Sequence, residues 1–125
     1  MGRHTMARTK EERAAFHATL RGMAETAERE HPEAVAALAA ILGNYSMRNA
    51  ALIWSQCPDA TAVAGFHDWR KAGRIVRKGE KGLAILAPMA RKRDDGEEGT
   101  ALAGFRVVYV FDVSQTEAMT VEVAA

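Results

Sequence analysis

The sequence predicts an α+β domain in which helices lead and a small antiparallel sheet follows. Up to Gly73, apolar residues recur at three- and four-residue intervals. Beyond it, β-branched and aromatic runs take over, and an acidic, glycine-bearing turn separates the last two runs. The 125 residues are 48% hydrophobic and carry no internal repeat, which suits one globular domain with its own core.

Each element has a local reason. Thr9 and Glu12 have capping-box spacing, and Phe16, Leu20, Met23, Ala24 and Ala27 follow at helical intervals, so a first helix is expected over residues 10–29. Pro32 suits the first turn of a second helix, EAVAALAAIL, which stops at Gly43-Asn44, residue types that tolerate the left-handed conformation. Ser46 opens a third, MRNAALIWSQ, which ends before Pro58. A short fourth holds FHDWRKA and is closed by Gly73. Ile75 and Val76 then make a brief extended step. LAILAPMA and FRVVYVFDV read as strands, the second with the composition of a buried one, and DDGEEG joins them as a hairpin loop. Pro88 cannot donate a ladder hydrogen bond, which assigns LAILAPMA to a sheet edge or a bulge. Ser114 and Glu117 again have capping-box spacing and predict a helical turn over SQTEA.

Several function classes drop out. The apolar runs are too short to span a bilayer, and MGRHTMARTKEER lacks the apolar centre of a signal peptide, so no membrane partner and a cytoplasmic location are expected. His4, His17, His31 and His67 are scattered and form no compact ligand set, so no metal or other cofactor is expected. Gly73 and Gly79 are separated by five residues, and Glu80 stands where a phosphate loop needs lysine, which rejects a P-loop. Cys57 has no cysteine or histidine near it and reads as a packing residue. Ser114 has no neighbouring histidine, and a capping role explains it, so no catalytic residue is assigned and no enzyme is expected.

The net charge of +1 hides a strong segregation. Residues 65–93 hold nine lysines and arginines against two acids, whereas residues 94–125 hold one against seven. A face of one sign follows even in a nearly neutral chain. Its centre is WRKAGRIVRKGEKG, residues 69–82, with six cations. Single-stranded DNA needs a positive track for phosphates, planar surfaces for unstacked bases and close backbone approach. Arg70, Lys71, Arg74, Arg77, Lys78 and Lys81 supply charge, Trp69 a stacking face, and Gly79 and Gly82 a turn without side chains. Trp69 has a second reading as a core residue with the charges as its solvated rim. Tyr45, Asn49, Leu52 and Gln56 share one helix face, so the phenol and the two amides either meet the nucleic acid or tie loop backbone internally. Arg48 is an exposed candidate for a phosphate. Arg91, Lys92 and Arg93 precede DDGEEG and are expected to pair with that loop.

The order of motifs resembles the N-terminal domain of ArdC-type antirestriction proteins. The resemblance runs over residues 43–117: Tyr45-Ser46 with Asn49, Gln56, Trp69 with Gly73-Arg74, Gly79-Glu80-Lys81-Gly82, and the closing Phe111-Asp112-Val113-Ser114-Gln115-Thr116. It divides the chain into a helical part (1–42), the family core (43–117) and a tail (118–125). The resemblance implies a single-stranded-DNA-binding module of plasmid- or phage-borne proteins thought to shield incoming DNA from restriction. In that family a zinc metallopeptidase domain commonly follows, and similar domains accompany plasmid primases; this chain stops after the module, as a cut domain or a short version. Two other readings stay open: a protein-interaction module that docks an acidic partner, and the non-catalytic part of a metallopeptidase. Mimicry of DNA is rejected, because it requires a large carboxylate excess and this chain has none.

Overall fold

The computed structural model describes residues 8–92 and 100–120. Four helices, α1 (Lys10–Glu30), α2 (Pro32–Leu42), α3 (Met47–Gln56) and α4 (Phe66–Lys71), combine with five strands, β1 (Val63–Gly65), β2 (Arg74–Val76), β3 (Leu83–Lys92), β4 (Thr100–Asp112) and β5 (Thr116–Ala118). The α+β expectation holds. The expected DDGEEG loop and Arg93 lie outside the described residues.

The helix boundaries follow from their caps. Thr9 Oγ1 accepts from the Glu12 amide at 3.0 Å and Glu12 Oε1 accepts from the Thr9 amide at 2.7 Å, closing the capping box that starts α1. A single residue, His31, separates α1 from α2, where Pro32 takes the first turn. Gly43, at φ 79°, ends α2 in a conformation that costs a side-chain-bearing residue, and Ser46 Oγ accepts from the Asn49 amide to start α3.

The core lies around α3. Ala50, Ala51, Leu52 and Ile53 are four consecutive buried residues, so this helix is enclosed rather than lying on a surface. Leu20, Ala24 and Ala27 of α1 and Val35 and Leu38 of α2 join them, as do Leu83 to Leu86 of β3 and Val110 of β4. The alanines at the contacts let the helices approach closely.

Two separate antiparallel sheets form. The first has the order β1-β4-β3, and the second pairs β2 with β5. Ile75 therefore faces Glu117 rather than the β3–β4 hairpin. Pro88 does sit in an edge strand, next to a register shift between Met89 and Ala90, where Gly104 at φ 122° absorbs the irregularity. The turn expected over SQTEA begins earlier. Asp112, a better acceptor than Ser114, takes the Ser114 amide at 3.0 Å while Gln115 returns to the Asp112 amide at 2.9 Å. This caps a single 3-10 turn, Val113–Gln115, and the chain then extends into β5.

Candidate nucleic-acid interface

The opening of β3 is an unpaired sheet edge, and α3 closes it with two side chains. The Asn49 amide donates from Nδ2 to the Leu86 carbonyl at 2.9 Å and accepts on Oδ1 from the Leu86 amide at 3.0 Å. Gln56 does the same for Ala84 from Nε2 and Oε1, both at 2.9 Å, and also donates to the Leu52 carbonyl. Each carboxamide reproduces the donor and acceptor of a neighbouring strand residue. These hydrogen bonds fit the internal reading of the two amides, as ties to β3.

Trp69 is likewise internal. It is 8% exposed, and its Nε1 donates to the Phe111 carbonyl at 2.9 Å, so no ring face is presented for stacking. The Tyr45 hydroxyl donates to the Val63 carbonyl at 3.2 Å. Burial, with the negative charge of Asp68 second, raises the pKa of this phenol. Arg48 lies 3.8 Å from Glu28 in an exposed ion pair that leaves it at the surface.

The six cations of residues 69–82 divide into two kinds. Arg74 donates from Nε to Thr116 Oγ1 at 2.7 Å and from Nη2 to the Thr116 carbonyl at 3.3 Å. Arg77 reaches the Thr116 and Ser114 carbonyls and Glu80 Oε2. Both guanidinium groups thus bind the β2 end to the segment after β4, Arg74 half-buried and Arg77 with its side chain still exposed. The remaining four, Arg70, Lys71, Lys78 and Lys81, are exposed and belong to no ion pair among the described residues. The turn that carries Lys78 and Lys81 is held from behind, since Gln115 Nε2 donates to the Lys81 carbonyl at 2.7 Å and the Arg77 amide donates to the Gln115 carbonyl at 2.9 Å. Gly79, at φ 88°, makes the reversal possible.

Asp112 anchors the same corner. It is 2% exposed and accepts from the amides of Thr61, Ala62 and Ser114. Burial alone would raise its pKa, but the accepted hydrogen bonds outweigh it and the carboxyl titrates below its ordinary value. Cys57 goes the other way, pushed up by burial first and then by Asp112 and Asp59. Among the described residues no three histidine, cysteine or acidic side chains gather as a metal site. No described helix is long and apolar enough to cross a membrane.

A surface absent from the sequence expectations lies on the other side of Gly82. FRVVYVFDV is not buried on both faces: Phe105 is 47% exposed and Tyr109 49%. A groove of about 760 Å³ runs between them and the start of α1, where Arg8, just before the helix, and Lys10, Arg13, Phe16 and His17 on it form the facing wall. The period-two placement of Phe105, Val107 and Tyr109 was the available signal, but β-branched neighbours gave the run the composition of a buried strand.

Comparison with known proteins agrees with this architecture. A solved structure of the antirestriction ArdC protein from plasmid R388, in metal-free form, superposes with a TM-score of 0.51 at 17% identity, over 81% of this chain and 42% of that one. An uncharacterized protein of Bacillus anthracis, pXO2-81, is 45% identical over 49 residues, which are 39% of this chain and 8% of that protein. The chain thus spans less than half the length of either. Residues 14–118 match the family described as the N-terminal domain of anti-restriction factor ArdC, a match that starts inside α1 and takes in α2, α3 and α4 whole. By that match, the chain belongs to the family of ArdC N-terminal domains.

Proposed function

We propose that this domain binds single-stranded DNA with little sequence preference, as a non-catalytic module of a plasmid- or phage-borne antirestriction-type protein acting in the cytoplasm of the bacterial host. The observation that carries the reading is the division among the cations of residues 69–82. Arg74 and Arg77 hold the turn, while Lys78 and Lys81 on it and Arg70 and Lys71 at the end of α4 are exposed without ion-pair partners among the described residues. A cluster of exposed positive side chains suits phosphates, whose neutralisation releases counterions whatever the base sequence. A metallopeptidase or primase domain in a longer parent protein is the fitting covalent partner, with this module holding the strand.

The test is a titration with single-stranded and duplex oligonucleotides at two salt concentrations. Single strands should bind more tightly, and their affinity should fall with salt by a log–log slope of roughly 0.7 per neutralised phosphate. Replacing Arg70, Lys71, Lys78 and Lys81 by alanine should flatten that slope by up to roughly 0.7 for each phosphate no longer neutralised. An unchanged slope would remove these residues from the interface. Equal affinity for duplex would reject the single-strand preference.

A further inference from the structure

We propose that the groove between the start of α1 and the exposed face of the β3–β4 hairpin is a stacking site for the bases of a single nucleic-acid strand. The inference rests on the single-strand reading above and adds a second contact surface to it.

The sheet face is the first observation. Opposed pairs share a face, so the register sets Phe105, Val107 and Tyr109 beside Pro88, Leu86 and Ala84. The two rings of β4 are thus about 13 Å apart, at about 3.3 Å per residue, and they flank a floor of Leu86, Ala84 and Val107 that belongs to or packs on the core. Both are about half exposed, although such rings are normally drawn into a core. Buried rings explain packing, whereas half-exposed rings in a row along one strand offer flat surfaces to a ligand.

Charge selects the ligand. Arg8, just before α1, and Arg13 on it line the groove, and neither belongs to an ion pair among the described residues. Glu11 and Glu12 share the first turn of α1, but Glu12 is held by the Thr9 amide. The Arg8 guanidinium already lies 4.0 Å over the Phe16 ring, a cation–π contact beside the groove. Aromatic surfaces edged with cations match bases joined by phosphates. Duplex DNA keeps its bases stacked inward, so a strand using this face must be single.

Gly82 joins this face to the basic turn. A β-carbon placed on Gly82 would come within 2.7 Å of the Tyr109 β-carbon, so Tyr109 packs against bare backbone and a side chain there would displace it. Lys81 immediately precedes that contact. The phosphate track and the ring row therefore meet at one point, as one continuous strand path requires.

The test compares fluorescence anisotropy of labelled dT12 and rU12 with the parent chain, Phe105→Ala, Tyr109→Ala, Tyr109→Phe and the four-cation variant. Loss of either ring should weaken binding about 5- to 150-fold with the salt slope unchanged, and Tyr109→Phe should bind like the parent. If the ring variants bind like the parent while the four-cation variant is weakened, this inference is overturned and the proposed function stands. If the parent binds neither oligonucleotide at low salt, both are overturned. Tighter binding of rU12 than dT12 would keep the groove and change the ligand to RNA. Photocrosslinking of the unmodified chain to an oligonucleotide carrying 5-iododeoxyuridine avoids any folding defect of the variants. Crosslinks at Phe105 or Tyr109 support the assignment, and crosslinks confined to other residues overturn it.

Discussion

Arg77 and Lys78 are adjacent residues of one sign with unlike environments. Arg77 donates to two carbonyls and a carboxylate, and Lys78 projects from the turn. Arg77→Ala leaves the Ser114 and Thr116 carbonyls without this donor and should cost about 1–3 kcal/mol, read as a lower melting temperature. Lys78→Ala should stay within about 0.5 kcal/mol of the parent while weakening nucleic-acid binding. Asp112 predicts a pH dependence as well. Its folded pKa is depressed, so its stabilisation is complete above the unfolded value of about 3.9 and is lost as pH falls through the folded value. Asp112→Asn should lower stability near neutrality, because the amide group replaces an acceptor of three backbone bonds with a weaker one. It should also flatten the acid limb of the stability curve below about pH 4, as measured by denaturant unfolding at several pH values.

At the scale of elements, α3 substitutes for a missing strand. Asn49 and Gln56 are two helical turns apart and meet Leu86 and Ala84, which alternate along β3, so a helix face and a sheet edge are matched group by group. Asn49→Leu and Gln56→Leu should each cost about 1–3 kcal/mol, because each strands a backbone donor and acceptor at a part-buried edge. Thermal unfolding measures the loss, and an oligonucleotide titration below the melting temperature should show affinity close to the parent's. The helix limits were legible because Thr9, Pro32, Gly43, Ser46 and Pro58 are local signals, read without knowing the tertiary structure. The edge closure was not, since a carboxamide has the same appearance in sequence whether it faces a ligand or a strand twenty-eight or thirty-seven residues away. The split into two sheets was hidden for a similar reason: Ile75-Val76 is equally suited to β5 and to the hairpin. For the candidate site, the basic segment was legible in the charge count, but which cations brace the fold depends on their bonds to Ser114 and Thr116. The exposed rings depend on how far α1 stands from that face of β4, which only the packing decides.

On the scale of the whole molecule, charge and aromatic surface are arranged in sequence along one proposed path and should govern different rate constants. The nine cations of residues 65–93 act over a Debye length, about 10 Å at 0.1 M salt, and so attract a polyanion before it touches the surface. Phe105 and Tyr109 act only once a base lies on them. Stopped-flow mixing with a labelled dT12 strand should therefore show an association rate that falls steeply with salt in the parent and less steeply in the four-cation variant. Phe105→Ala and Tyr109→Ala should leave the association rate within about threefold of the parent, and their weaker affinity should appear in faster dissociation. A ring variant that slowed association instead, with dissociation unchanged, would mean that Phe105 and Tyr109 shape the approach of the strand rather than hold its bases. Duplex and single strand are both polyanions, and the duplex, with the higher charge density, is attracted at long range at least as strongly, so charge alone gives no preference for the single strand. Discrimination between the two should consequently reside in dissociation, and removal of both rings should bring the single-strand and duplex affinities together while the salt slopes remain apart from zero.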